Sequence, residues 1–152
     1  MKTINNSGDS YIIFELAGTK YAINSQYVKQ MEMIENITPV PNAPSFVEGV
    51  IISRGQVIPA INLRKRFGFD KIDFDIKTRL IVVNINNRSL GLIVDTARDF
   101  IKIDKEQIKE VPETITALSG KYLSGFVTVE KEPILIFNIE EAINLTEIVE
   151  KV

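Results

Sequence analysis

Histidine is absent from this chain, and with it go the commonest general base, the Ser-His-Asp and Cys-His triads and the usual zinc ligand. Cysteine is absent too, so nothing argues for an oxidising compartment or a thiolate metal site. The eight glycines are scattered and form neither a GxxxxGK nor a GxGxxG run, so no backbone cradle for phosphate is encoded. The opening MKTINNSGDS lacks the apolar stretch of a secretion signal, and no later run reaches the roughly 18 apolar residues that span a bilayer. A cytoplasmic protein without direct membrane insertion is expected. Lysines and acids are interspersed, with a net charge of -2 and a pI near 5.3. There is no basic stripe to neutralise phosphates, so nucleic acid is not an expected partner.

Paired carboxylates are the catalytic chemistry that these absences leave open. Asp70, Asp73 and Asp75 alternate with Lys71, Ile72, Phe74 and Ile76, the pattern of a solvated loop or edge strand. A calcium loop needs more regular ligand spacing. Asp95 closes the apolar run Gly91–Val94 and reads as a turn cap accepting backbone N–H groups. No catalytic residue, metal ligand or cofactor is expected, and the chain reads as a non-enzyme.

What the chain has is β-branched residues: 24 isoleucines and 13 valines among 152 residues. These lose side-chain freedom in helices and fit pleated surfaces. Strands are expected at Tyr11–Leu16, Lys20–Ile23, Val28–Ile34, Gly49–Ile52, Val57–Asn62, Leu80–Ile85, Ser89–Val94, Phe100–Ile103, Tyr122–Val129 and Ile134–Phe137. So many short strands imply a sandwich or barrel. Ala17-Gly18-Thr19, Asn86-Asn87-Arg88 and Glu130-Lys131-Glu132 have the place and composition of hairpin loops. Helices are expected to be few. Asn62 can cap a turn over Leu63–Phe67, Asp104 with Gln107 marks another, Ser45–Glu48 could make a third, and Asn138 with Glu141 starts a C-terminal helix from about Glu140 to Val149. Asp70–Thr78 is a charged interval between two β-rich halves, and no repeat of 20 to 50 residues is visible.

The most informative run is Gly49 to Gly68, where Arg54-Gly55 alone separates two apolar strands. Arg54 is either a solvated hairpin tip or a partner contact, since arginine is enriched where interfaces concentrate their energy. Arg64-Lys65-Arg66 reads as the charged outer face of one helical turn. Val28, Met31 and Ile34 fit either a core face or a docking strip.

The order of these pieces resembles the CheW-type chemotaxis coupling proteins over roughly Ser10 to Glu147. The pieces are Phe14, Tyr21-Ala22-Ile23 and Val28, then the stretch ITPVPNAPSFVEGV from Ile37 to Val50. Arg54-Gly55, Val57-Ile58-Pro59, Asn62-Leu63-Arg64 and Phe67-Gly68 follow, and after them Gly91–Asp95, Tyr122–Gly125 and the strand Ile134–Ile139. Members often carry Asn-Leu where this chain has Ile52-Ser53, and an aspartate where it has Asn62. The resemblance implies two intertwined five-stranded Src-homology-3-like barrels. It divides the chain into a flexible tail (1–9), one CheW-like domain of two barrel subdomains (10–147) and a C-terminal end (148–152).

The implied function is an adaptor between the cytoplasmic tip of chemoreceptors and the histidine kinase CheA, recruited to membrane-associated receptor arrays. Carried over residue by residue, Val28, Met31, Gly49 and Arg54 would face the receptor's helical hairpin, with Gly49 letting backbone approach the partner. Ile34, Ile37 and Val40 would face the regulatory domain of the kinase, from a loop expected to leave them exposed. The alternative is a β-barrel regulatory module of another two-component or scaffolding system.

Overall fold

The computed structural model describes residues 8–112 and 122–143. The chain runs β1 (Asp9–Leu16), β2 (Thr19–Asn24), β3 (Val28–Met33), β4 (Val47–Ser53), β5 (Gln56–Asn62), α1 (Leu63–Arg66), β6 (Arg79–Ile85), β7 (Arg88–Val94), β8 (Thr96–Ile103), β9 (Leu123–Val129), β10 (Glu132–Phe137) and α2 (Ile139–Ala142). The strands form two sheets, ordered β8-β1-β2-β10-β9 and β3-β6-β7-β5-β4. All neighbours are antiparallel except β2 with β10 and β5 with β7. The second sheet is thus inserted whole between β2 and β8, and the first is assembled from both ends of the chain.

The strands β6 and β7 are buried on both faces, which is why they read as near-continuous apolar runs, whereas the edge strand β3 alternates. On β1, Tyr11 and Ile13 turn to a core private to the first sheet, whereas Phe14 and Leu16 turn to a core shared by both. On β6, Leu80 and Val82 face the second sheet's private core while Ile81, Val83 and Ile85 face the shared one. The shared core carries an aromatic cluster: Phe14 stacks on Tyr21 at 5.5 Å and meets Phe137 edge-on at 5.6 Å, and Phe67 stacks on Tyr122 at 5.3 Å.

Each sheet curls until its outer edges are joined. In the second, Thr38 and Val50 exchange backbone hydrogen bonds of 2.9 and 2.8 Å, tying the segment after β3 to β4. In the first, Lys109 and Phe126 do the same at 2.9 Å each, tying the segment after β8 to β9. The two barrels repeat each other. Val47–Asn62 and Leu123–Asn138 each have one residue skipped in the pairing (Glu48, Ser124), then a glycine at positive φ (151° at Gly49, 159° at Gly125), a two-residue turn and an asparagine cap. The two runs are identical only at Gly49 and Gly125, Ile58 and Ile134, and Asn62 and Asn138. So few matches hide the repeat from inspection of the sequence.

The expected strands are all present, and most start earlier than the sequence suggests: β1, β4 and β10 by two residues and β8 by four. β4 begins at Val47, so Ser45 and Phe46 form a turn and Glu48 belongs to the strand. β8 begins at Thr96, because Asp95 alone connects it to β7. All four two-residue hairpin turns, at Ala17-Gly18, Arg54-Gly55, Asn86-Asn87 and Glu130-Lys131, carry positive φ at both central residues, as right-twisted hairpins prefer. Asn62 and Asn138 accept from Lys65 N–H (3.3 Å) and Glu141 N–H (3.2 Å), so both expected caps form. Lys105–Gln107 is a single 3-10 turn in which the Gln107 side chain accepts from Asp104 N–H at 2.8 Å. The expected C-terminal helix is corrected to the single turn Ile139–Ala142, because the Ile143 backbone is extended (φ -109°, ψ 97°) and closes it; the rest of the expected span, 144–149, lies outside the described residues.

The outer-face reading of Arg64-Lys65-Arg66 is corrected, because all three side chains are partly buried and engaged. Arg64 pairs with Asp95 (2.9 Å), Lys65 reaches Glu48 (3.4 Å), and Arg66 donates to the Ala142 carbonyl (2.7 Å) with its guanidinium 4.4 Å from the Phe46 ring centre.

Candidate functional site

The β4–β5 hairpin and the edge strand β3 place several apolar side chains in solvent. Met31 and Met33 leave the same face of β3 with 42% and 53% of their surfaces exposed. Ile52 and Val57 pair across the hairpin at 74% and 62% exposure, flanking the turn that carries Arg54. An open groove of about 340 Å³ runs between Met33 and Glu35 on one side and Ile51, Ile52 and Val57 on the other. An exposed apolar cluster rimmed by charge is the signature of a protein-docking surface.

Arg54 is exposed at the tip, with φ of 54°. A side chain with a Cβ is strained there, and its solvated guanidinium is free to make a charge-assisted hydrogen bond with a partner. Behind it the barrel is stitched shut by side chains. Ser53 Oγ accepts from Gln30 Nε2 at 2.7 Å and donates to Glu32 Oε2 at 2.6 Å, and Gln30 Nε2 also meets Glu32. Ser53 is buried, so Ser53→Ala should remove a donor from a carboxylate and lower stability by about 1–2 kcal/mol. The check is the midpoint of urea unfolding, and an unshifted midpoint would mean that the stitch contributes nothing.

The other nominated residues have structural tasks as well. Val28 packs against the shared core, and Ile34 and Ile37 pack against the second barrel's private core. The expectation that the Ile34–Val40 loop leaves its apolar set exposed is therefore corrected: Ile34, Ile37 and Val40 are half-buried. Gly49 does permit a close backbone approach, but the approaching backbone is the chain's own. A Cβ on Gly49 would lie 2.1 Å from the Thr38 carbonyl oxygen.

Glu48, beside that glycine, is held by Asn62 Nδ2 (2.8 Å), Lys65 and Lys71. Burial alone would raise its pKa, and the Asn62 hydrogen bond with the two ammonium groups outweighs it, so the carboxyl titrates below its usual range. A depressed carboxyl stabilises the fold above its unfolded pKa and loses that contribution as pH falls through its folded one.

Sequence reasoning nominated Met31 and Arg54, both of which the structure exposes, and missed Met33, Ile52 and Val57. The signal for these was present: consecutive Ile51 and Ile52 on one strand must point to opposite faces, and Met31 and Met33 share one. Among the described residues, no group of three or more acidic side chains could hold a metal ion.

The CheW-like domain family matches residues 10–147. The chain belongs to that family. It is 30% identical over 140 residues to the chemotaxis protein CheW of Klebsiella aerogenes, covering 92% of this chain and 84% of that one. It is 35% identical over 109 residues to CheW of Bacillus subtilis, covering 72% and 70%. The crystal structure of the scaffolding protein TtCheW from Thermoanaerobacter tengcongensis superimposes with a TM-score of 0.79 at 32% identity, covering 86% of this chain and 89% of that one. The superposition on TtCheW accounts for the doubled barrel.

Proposed function

We propose that this CheW-like chain is a chemotaxis adaptor that couples the cytoplasmic helical tip of chemoreceptors to the histidine kinase CheA, with no chemistry of its own. The observation that carries this reading is the exposed set Met31, Met33, Ile52 and Val57 beside Arg54, on strands whose positions are fixed by the cores behind them. A β-scaffold with an apolar strip and an exposed arginine suits an amphipathic helix, which supplies apolar side chains at helical spacing and a polar group at its end. Receptor contact is assigned to Met31 and Arg54, with Val28 and Gly49 supporting them from the core and from the Thr38 bridge. Kinase contact is assigned to the half-buried edge of Ile34, Ile37 and Val40, where Pro39 and Pro41 restrict the loop and reduce the entropy lost on docking.

No helix among the described residues is long and apolar enough to cross a membrane. Recruitment to receptor arrays would therefore run through the receptor contact. With histidine and cysteine absent, the chain lacks the side chains that most readily accept phosphate or form covalent intermediates. Its influence on the kinase would come from raising effective concentration and favouring one kinase state.

Kinase, receptor membranes and this chain, mixed in every combination with radiolabelled ATP, test the reading. Autophosphorylation should rise only when all three are present, and no label should appear on the adaptor. Label on the adaptor, or a kinase indifferent to it, would sink the proposal.

The two faces separate by mutation. Arg54→Ala should leave stability within about 0.5 kcal/mol and weaken receptor binding by about 1.5–3 kcal/mol, as loss of a charged hydrogen bond does. Val40→Asp should remove kinase binding and leave receptor binding in place. Titration calorimetry measures both, and a folded Val40→Asp protein that loses both partners or neither would refute the division into two faces.

A further inference from the structure

The two assigned faces meet in one short segment of the second barrel. β3 and β4 are the outer strands of their sheet and do not pair with each other, and the open groove of about 340 Å³ lies between them. β3 ends at Met33, and Thr38 exchanges backbone hydrogen bonds with Val50 on β4. Residues 34–38 therefore cross from one margin of the groove to the other as a strap. The side chains of the strap divide between two surroundings. Glu35, Asn36 and Thr38 are exposed and line the groove. Ile34 and Ile37 pack against the barrel's private core, and with Val40, beyond the bridge, they make up the edge assigned to the kinase.

Charge is distributed unequally along the groove. Arg54, at the hairpin tip, stands about 13 Å along the strand direction from Val50, whereas Glu35 lies at the strap end. The Glu35 side chain is exposed and makes no ion pair or hydrogen bond with another described residue. Glu32, the other carboxylate of the groove, is already held by Ser53 and Gln30. A helix lying in the groove with a carboxylate toward Arg54 and a cation about two turns away toward Glu35 complements both ends.

We infer that the strap is shared by both faces: Glu35 and Asn36 are specificity-determining contacts for the receptor helix, and engaging them orders the backbone that carries the kinase edge. This rests on the adaptor reading. Residues 34–37 have no regular secondary structure, so they keep backbone freedom that the first partner removes and the second no longer has to. Pro39 and Pro41 stiffen the chain beyond the bridge and leave this stretch untouched. Receptor and kinase should therefore bind cooperatively, each raising the affinity of the other by the same factor.

A receptor cytoplasmic fragment and the kinase regulatory domain, titrated into this chain singly and together by calorimetry, provide the test. Saturating receptor fragment should raise the affinity for the kinase domain about fivefold or more. The receptor fragment alone should slow amide exchange over residues 34–37 by about tenfold or more. Glu35→Lys, a change on an exposed side chain, should keep the affinity for the kinase domain alone, weaken receptor binding about fivefold or more and reduce the slowing of exchange in proportion. Glu35→Asp, which keeps the charge, should recover most of the receptor affinity. Partners that bind independently, strap amides indifferent to the receptor, or a Glu35→Lys chain that binds receptor as the parent does would each overturn the inference and leave the adaptor reading standing. A parent that binds neither partner would refute the adaptor reading and the inference with it.

Discussion

Gly49→Ala is expected to lower stability by about 3 kcal/mol, far more than an ordinary glycine substitution in a strand. Two effects add. At φ of 151° an L side chain is strained, which costs on the order of 1–3 kcal/mol. The new Cβ would also lie 2.1 Å from the Thr38 carbonyl oxygen and 2.7 Å from its carbon. The Thr38–Val50 bridge must then open, losing two backbone hydrogen bonds worth about 1 kcal/mol each. Gly18→Ala is the control: its φ of 84° is unfavourable too, but nothing lies within 4 Å of the added atom. It should lower stability by only about 1 kcal/mol. Urea unfolding of the two variants measures the difference, and equal losses would show that Thr38 yields. Receptor binding by Gly49→Ala should follow the folded fraction. A fully stable variant that fails to bind would instead return Gly49 to direct contact with the partner.

Phe14→Ala should be costlier, about 4 kcal/mol, the usual range for an aromatic removed from a core. Phe14 is fully buried and sits between Tyr21 and Phe137 in the core that both barrels share. Its loss weakens the seam rather than one barrel. Both barrels should therefore melt together, on the order of 10 °C lower. Circular dichroism and tyrosine fluorescence, followed through the same transition, provide the check. Two separated transitions would mean that the barrels are independent folding units.

The strands were legible because isoleucine and valine mark them without regard to which face is buried. Their ends were less so. Glu48 looks like the end of a helical turn after Pro44, yet its carboxylate is held by Asn62, Lys65 and Lys71 inside a bulge. Asp95 looked like the close of a strand, and a cap accepting backbone N–H is what it became, although the N–H belongs to Ala17 on a distant hairpin. Arg64 and Arg66 were misread because a basic triplet after an N-cap has the composition of a solvated turn. Only the meeting of two barrels gives those arginines something to hold. At the site, Arg54 was legible from its place at a two-residue turn. The exposure of Ile52 and Val57, and the burial of Ile34 and Ile37, depend on how the second sheet curls, which strand periodicity does not specify.

Insertion of the second sheet between β2 and β8 has a consequence for synthesis. On the ribosome, β1 and β2 emerge first, and their partners β8, β10 and β9 emerge last. Everything the second sheet needs, from Val28 to Val94, comes out in one piece. At about 5–20 residues per second the first hairpin waits roughly 4–16 s for β8. Throughout that time Phe14, Leu16, Tyr21 and Ile23 have only the emerging second barrel to cover them, so the insert acts as a template on which the divided barrel is completed.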